Sequence, residues 1–234
     1  MSESAIIDET EAFVREYMAR YDCSHDFHHV ERVVGQALAL AALEAPQRPV
    51  DTLVVRLAAL LHDVDDAKYR DESTTSFAVA DFLANLGLDT GRAQLVARII
   101  DAVSFRKELL AIEQDEMGTG DAGEREWRHG CVELACVQDA DRLDAIGAFG
   151  VLRCAAFSGA RNRPLHDPHD TPIVGITYDE YLLRLASMMK TESGKREAQR
   201  RHAFMCQFLE QIDAEFGFGL GQSAKQRGVK KKMF

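Results

Sequence analysis

Between Leu53 and Leu61 the chain reads Leu-Val-Val-Arg-Leu-Ala-Ala-Leu-Leu, with Arg56 as its one charge. A helix this apolar has to be enclosed on most sides, so the remaining elements must pack round it. It runs directly into His62-Asp63-Val64-Asp65-Asp66-Ala67-Lys68. Carboxylates at that end of a buried helix meet the negative pole of the helix dipole and lose hydration. A bound cation would reverse both objections.

The rest of the chain carries helical spacing and no strand alternation, and no internal repeat is present. Ile6, Ile7, Phe13, Val14, Tyr17 and Met18 predict an amphipathic outer helix over 5–20. Helix-starting residues in 21–26 precede a second helix from Phe27 to Leu43, with Val30, Val33, Val34, Ala37, Leu38 and Ala41 on its buried side. Pro46 and Pro49 break it, and Asp51 can cap the apolar helix, expected over Thr52 to Val64. Further helices are expected over Ser73 to Leu86, closed by Gly87, and over Leu95 to Val103.

Residues 113–128 combine Gly118, Gly120 and Gly123 with many acids, which predicts an exposed loop. A helical run follows from Gly130 to Phe157. A second loop is expected over 158–177, where His166 and His169 would be solvated. Closing helices are expected over Tyr178 to Lys190 and Lys195 to Phe216, with Ala203, Phe204, Phe208, Leu209 and Ile212 facing inward. The expected architecture is an all-α, single-domain helical bundle over 1–217. Its core spans 21–157, its C-terminal helices span 178–216, and 218–234 form a flexible tail.

At 234 residues the chain can bury a substantial core. Its net charge of -10 argues against a general binder of nucleic-acid polymers, whose affinity comes from clustered cations. Cys23, Cys131, Cys136, Cys154 and Cys206 are widely spaced, odd in number and without a CxxC pair, as expected of reduced thiols. The acidic, polar N-terminus does not resemble a signal peptide, and no apolar run approaches the roughly 20 residues of a membrane span. A cytoplasmic location is the expectation.

Candidate metal ligands fall on three expected helices: a histidine early in the second, His62 with Asp63 on the third, and Asp141 on a later one. Such a mixed nitrogen and carboxylate set suits manganese, iron, cobalt, nickel or zinc, whereas magnesium favours fewer histidines. Asp66 lies four residues after His62 and three after Asp63, on the same side. It can approach water at such an ion without being a ligand.

The ordered set His25-Asp26-Phe27-His28-His29-Val30-Glu31-Arg32-Val33, His62-Asp63 and Asp139-Ala140-Asp141-Arg142-Leu143-Asp144 resembles the HD-domain metal-dependent phosphohydrolases. Met189-Lys190-Thr191-Glu192-Ser193-Gly194-Lys195 and Arg201-His202-Ala203-Phe204-Met205 are similar to the small stand-alone branch of that family. Its HxxRV pattern selects His29 rather than His28. The resemblance implies a ligand set of His29, His62, Asp63 and Asp141, one divalent ion with manganese preferred, and a phosphate ester or anhydride substrate. Residues 113–128 match the family poorly.

Members of this branch are nucleotide phosphohydrolases or pyrophosphohydrolases. The expected activity is hydrolysis of a ribo- or deoxyribonucleoside triphosphate to monophosphate and pyrophosphate. A 5′-nucleotidase, or another small phosphomonoesterase, is the alternative within the same chemistry. A non-catalytic nucleotide- or metal-binding module is the alternative of another class. In the expected mechanism Asp66 orients the attacking water or accepts its proton, while Lys68 and Arg32 offset charge on the phosphate. Arg142, Asp144 and Lys190 are further candidate substrate contacts. Lys68 could equally compensate the helix dipole, Arg32 could pair with an acid, and Arg142 and Asp144 could belong to a salt-bridged helix face. His25 fits a capping role better than ligation, and Lys190 and Arg196 could both be surface groups.

Overall fold

The computed structural model describes residues 1–21, 26–64, 78–163 and 178–219, with no strand among them. The helices are α1 (Glu3–Met18), α2 (Phe27–Glu44), α3 (Thr52–Leu61), α4 (Val79–Asn85), α5 (Thr90–Val103), α6 (Phe105–Glu116), α7 (Ala122–Gly130), α8 (Val132–Asp144), α9 (Gly147–Ala160), α10 (Tyr178–Leu185) and α11 (Glu192–Gly219). A 3-10 turn, Ala186–Met188, follows α10. Among the described residues no single helix is long and apolar enough to cross a membrane.

α3 is the hub of this all-α bundle, packing against α1, α2, α5 and α8. Every residue from Leu53 to Leu61 except Arg56 is buried. Fully enclosed side chains such as Leu57 and Leu61 each contribute roughly 1.5–3 kcal/mol. Asp51 starts the helix by accepting from the backbone N–H groups of Leu53 and Val54. At the other end α3 stops at Leu61, and His62 to Val64 form a turn rather than the expected further helix. The Nδ1–H of His62 donates to the Ala59 carbonyl at 2.8 Å, satisfying a helix-end acceptor from the side chain.

α2 follows its expected bounds closely, and Val30, Val33, Ala37 and Ala41 are buried, with Val34 and Leu38 packed at the margin. α5 begins at Thr90 because Asp89 caps it through the Arg92 N–H. Of the helix expected over Ser73 to Leu86, only the part from Ala78 lies within the described residues, where α4 ends before Gly87 at φ +89.

Residues 113–128 are not a loop. They complete α6 and supply most of α7, with the glycines confined to the intervening turn and the first turn of α7, where Asp121 accepts from the Glu124 N–H. Arg98 of α5 pairs with Glu124 at 2.5 Å and covers the Trp127 ring at 3.7 Å, fastening α7 laterally. The low apolar content shows in the burial: α7 buries no residue, and α6 buries only Glu108.

The expected continuous helix from Gly130 to Phe157 is broken between α8 and α9, which meet at a bend of 64°. Gly147 there adopts φ +76, a backbone geometry that a Cβ disfavours. α9 extends to Ala160, three residues into the expected second loop, of which 164–177 lie outside the described residues. The expected inward face of α11 is also corrected. Phe204 and Phe208 are 44% and 37% exposed, whereas Ala198 and Met205 are buried. Arg201 lies between those two on the same face and donates to the Leu143 carbonyl at 2.5 Å. A charged residue on the packed face masked the hydrophobic period.

Candidate metal centre

α2 and α8 run beside each other, which brings the first turn of α2 against the last turn of α8. α3 ends against both. Four donor atoms converge there. His29 Nε2 and His62 Nε2 are 3.3 Å apart. Asp63 Oδ2 lies 3.4 Å from the former and 3.6 Å from the latter, and Asp141 Oδ1 lies 3.6 and 3.7 Å away. His29, His62 and Asp63 are buried, while the side chain of Asp141 is 37% exposed and gives the cluster its open side.

The partners of the outer ring nitrogens determine what this cluster can hold. Ala59 O can only accept, so His62 Nδ1 carries the proton and its Nε2 presents a lone pair. His29 Nδ1 lies 2.7 Å from Asp144 Oδ2, which fixes the same tautomer in neutral His29. Two imidazole lone pairs and two carboxylate oxygens therefore face a common centre. Donors about 2.1 Å from one ion stand ~3.4 Å apart in tetrahedral array, close to the histidine–histidine and histidine–carboxylate separations, and His29, His62 and Asp141 form the mutually close trio. The set fits a divalent ion.

Asp144 is held from three sides. Arg32 donates from Nε to Oδ1 at 2.7 Å and from Nη2 to Oδ2 at 3.0 Å, and Arg153 of α9 donates to Oδ2 at 3.2 Å. Burial alone would raise the carboxyl, but its hydrogen bonds with His29 and Arg32 hold it well below the usual range. For His29, burial opposes protonation, yet Asp144 and Asp63 prevail and raise its pKa.

Metal binding therefore has to expel a proton from His29. A raised folded-state pKa means that metal-free protein keeps this proton above the ordinary histidine range, so metal affinity should climb with pH until His29 is neutral. Titrating manganese into chelator-stripped protein in buffers of different ionisation enthalpy should register proton release. Proton-independent binding would contradict the geometry.

Of the residues expected at the site, His29, His62, Asp63 and Asp141 come together. Arg32 and Asp144 engage each other beside His29. Arg142 lies elsewhere, donating to Met188 O at 2.8 Å and pairing with Glu108 in a buried contact, and Lys190 Nζ reaches the same Glu108 at 2.5 Å. A substrate contact by Arg142 would require breaking that buried pair. Asp66 and Lys68 lie outside the described residues. Arg153 escaped the sequence reading because nothing in its spacing marks it; only the α8–α9 bend carries it back to Asp144. Asp139 was a motif residue without a role. It accepts from the Lys190 N–H, the Thr191 N–H and the Thr191 hydroxyl at 2.7–2.8 Å, joining α8 to the start of α11. A Cβ on Gly194 would collide with its carboxylate.

The HD domain family model matches residues 26–146. The YpgQ protein of Bacillus subtilis is 33% identical over 92% of this chain and 96% of its own length. The chain belongs to the HD-domain family. It is a metal-dependent phosphohydrolase of the HD superfamily. The crystal structure of B. subtilis YpgQ in complex with ADP superposes with a TM-score of 0.68 at 30% identity, covering 89% of this chain and 97% of that one. An HD-superfamily hydrolase from Bacillus thuringiensis gives a TM-score of 0.64 at 29% identity, covering 92% and 99%. In this HD protein His62 and Asp63 lie within the residues that the family model matches, at the end of the buried hub helix.

Proposed function

We propose that this HD-domain enzyme hydrolyses ribo- or deoxyribonucleoside triphosphates to monophosphate and pyrophosphate, with one divalent ion, manganese preferred, held by His29, His62, Asp63 and Asp141. The carrying observation is the convergence of their four donor atoms with both histidine tautomers directed inward. The nucleotide class is supported by YpgQ, a relative over nearly its whole length whose crystal structure is a complex with ADP. When bound, the ion supplies Lewis-acid polarisation of a phosphoryl oxygen and activation of water.

The chain's own residues do the rest. Asp144 keeps the His29 proton on Nδ1, and Arg32 and Arg153 keep Asp144 ionised. Asp66, which follows the His62-Asp63 pair in the sequence, is assigned the role of taking a proton from the attacking water through a carboxylate oxygen. Lys68 meets the phosphate through Nζ and offsets its charge. Arg32 acts through Asp144.

The test is incubation of purified protein with manganese and a panel of nucleoside mono-, di- and triphosphates, with products identified by phosphorus NMR. Pyrophosphate and a monophosphate from a triphosphate are expected. Orthophosphate released from monophosphates would replace this reading with phosphomonoesterase activity. Binding without turnover under every divalent metal would leave only a binding module.

A further inference from the structure

A cavity of about 270 Å³ lies between α6, α7, α8 and the segment before α11, and none of the four proposed metal ligands lines it. On α8 its wall is formed by Ala135 and Gln138, the nearer of which lies three residues before Asp141. That spacing places Gln138 ~4.5 Å along the helix and ~60° round from Asp141. The cavity is neighbour to the metal cluster rather than part of it.

Its polar lining is cation-rich in a chain of net charge -10. Arg48, Arg128 and Lys190 come from three separate segments, with His129 beside Arg128, and the acids are Glu108 and Asp115. Those acids arrange the cations. Glu108, 6% exposed, holds both Arg142 and Lys190, and Asp115 holds Arg128 at 3.3 Å. Glu108 is also the only residue that α6 buries fully, so its carboxylate fixes the cavity-facing side of that helix. Burial, together with the positive charge of Arg142 and Arg128, pushes the Lys190 ammonium down despite nearby Asp139, the response of a cation in a locally positive surrounding.

We propose that this cavity is a second small-anion site that takes a compact diphosphate group, either free pyrophosphate or the phosphate tail of a nucleotide projecting out of it. Two guanidinium forks and an ammonium offer the charge-assisted donors that phosphate oxygens require. The volume lies below the usual range for whole drug-sized ligands, ~300 Å³ upward, and suits the diphosphate alone. Glu44, Asp115 and Glu108, paired with Arg48, Arg128 and Lys190, offset the charge of the empty cavity and are displaced as partners when an anion enters. Binding needs no metal, so it is separable from hydrolysis at the cluster.

The experiment is calorimetric titration of chelator-stripped, full-length protein with sodium pyrophosphate and, in parallel, with ADP. One equivalent should bind. Arg128→Ala and Lys190→Met should each weaken it about tenfold or more, as loss of a charged hydrogen bond implies. Asp115→Asn should strengthen it severalfold by releasing Arg128, with thermal melts confirming that all three variants fold. Binding of pyrophosphate alone identifies the free anion, and competition by ADP identifies the nucleotide tail. Absence of binding by both probes, or affinity untouched by Arg128→Ala and Lys190→Met, overturns the proposal. So does a loss with Asp115→Asn matching that of Arg128→Ala, because the two residues would then serve only the α6–α7 fold.

Discussion

Asp63→Ala should abolish both tight metal binding and hydrolysis. Asp63 is 7% exposed and contributes the oxygen that lies 3.4 and 3.6 Å from the two inward histidine nitrogens. Without it the cluster presents two neutral nitrogens and one half-exposed carboxylate, too little negative charge to hold a divalent ion in a partly buried site. Losing several kcal/mol of transition-state stabilisation corresponds to a rate decrease of roughly 1,000-fold or more. Metal content after dialysis, measured by elemental analysis beside the rate with a nucleoside triphosphate, checks both effects. A variant with full metal content and full rate would remove Asp63 from the site.

Asp144→Asn carries the second large effect, and it separates two roles for that residue. The sequence suggested a substrate contact, but the carboxylate is 1% exposed and faces His29, Arg32 and Arg153. An amide keeps the shape while removing the charge that holds two guanidinium groups and stabilises the His29 Nδ1–H. Metal affinity should fall roughly 10- to 100-fold. Leaving two arginines without their buried counter-charge should cost about 3 kcal/mol in denaturant unfolding. A raised KM with unchanged metal affinity would instead restore the substrate contact. The acid dependence follows the same interaction. Because the folded-state pKa of Asp144 is depressed, its stabilisation is present above the unfolded value of about 3.9 and is lost only as pH falls through the much lower folded value. The asparagine variant should lack that contribution throughout neutral and mildly acidic pH.

Helix positions in the N-terminal half were readable because their signals are local. Asp26, Asp51 and Asp89 cap the helices that follow them, the buried face of α3 is apolar without interruption, and that of α2 is apolar apart from His29 and Glu44. The errors share a different cause. In 113–128 glycine and acid content concealed two surface helices held by contacts from α5. On α11 the true inward face includes Arg201, whose partner is a carbonyl of α8, so periodicity selected exposed Phe204 and Phe208. Between α8 and α9 the break depends on one glycine at positive φ and leaves the surrounding helical pattern intact.

The residue order alone was enough to establish a helical chain with one thoroughly apolar helix running into His62 and Asp63, because periodicity, capping and charge placement act within a few residues. The motif order added His29 and Asp141 by resemblance. Which ring nitrogen of each histidine faces the centre, and how Arg153, Asp144 and Glu108 are employed, depended on packing. These choices are set by hydrogen bonds between groups as much as 115 residues apart, as between His29 and Asp144. Such pairings exist only after α2 and α8 have packed side by side and α9 has bent back across their end.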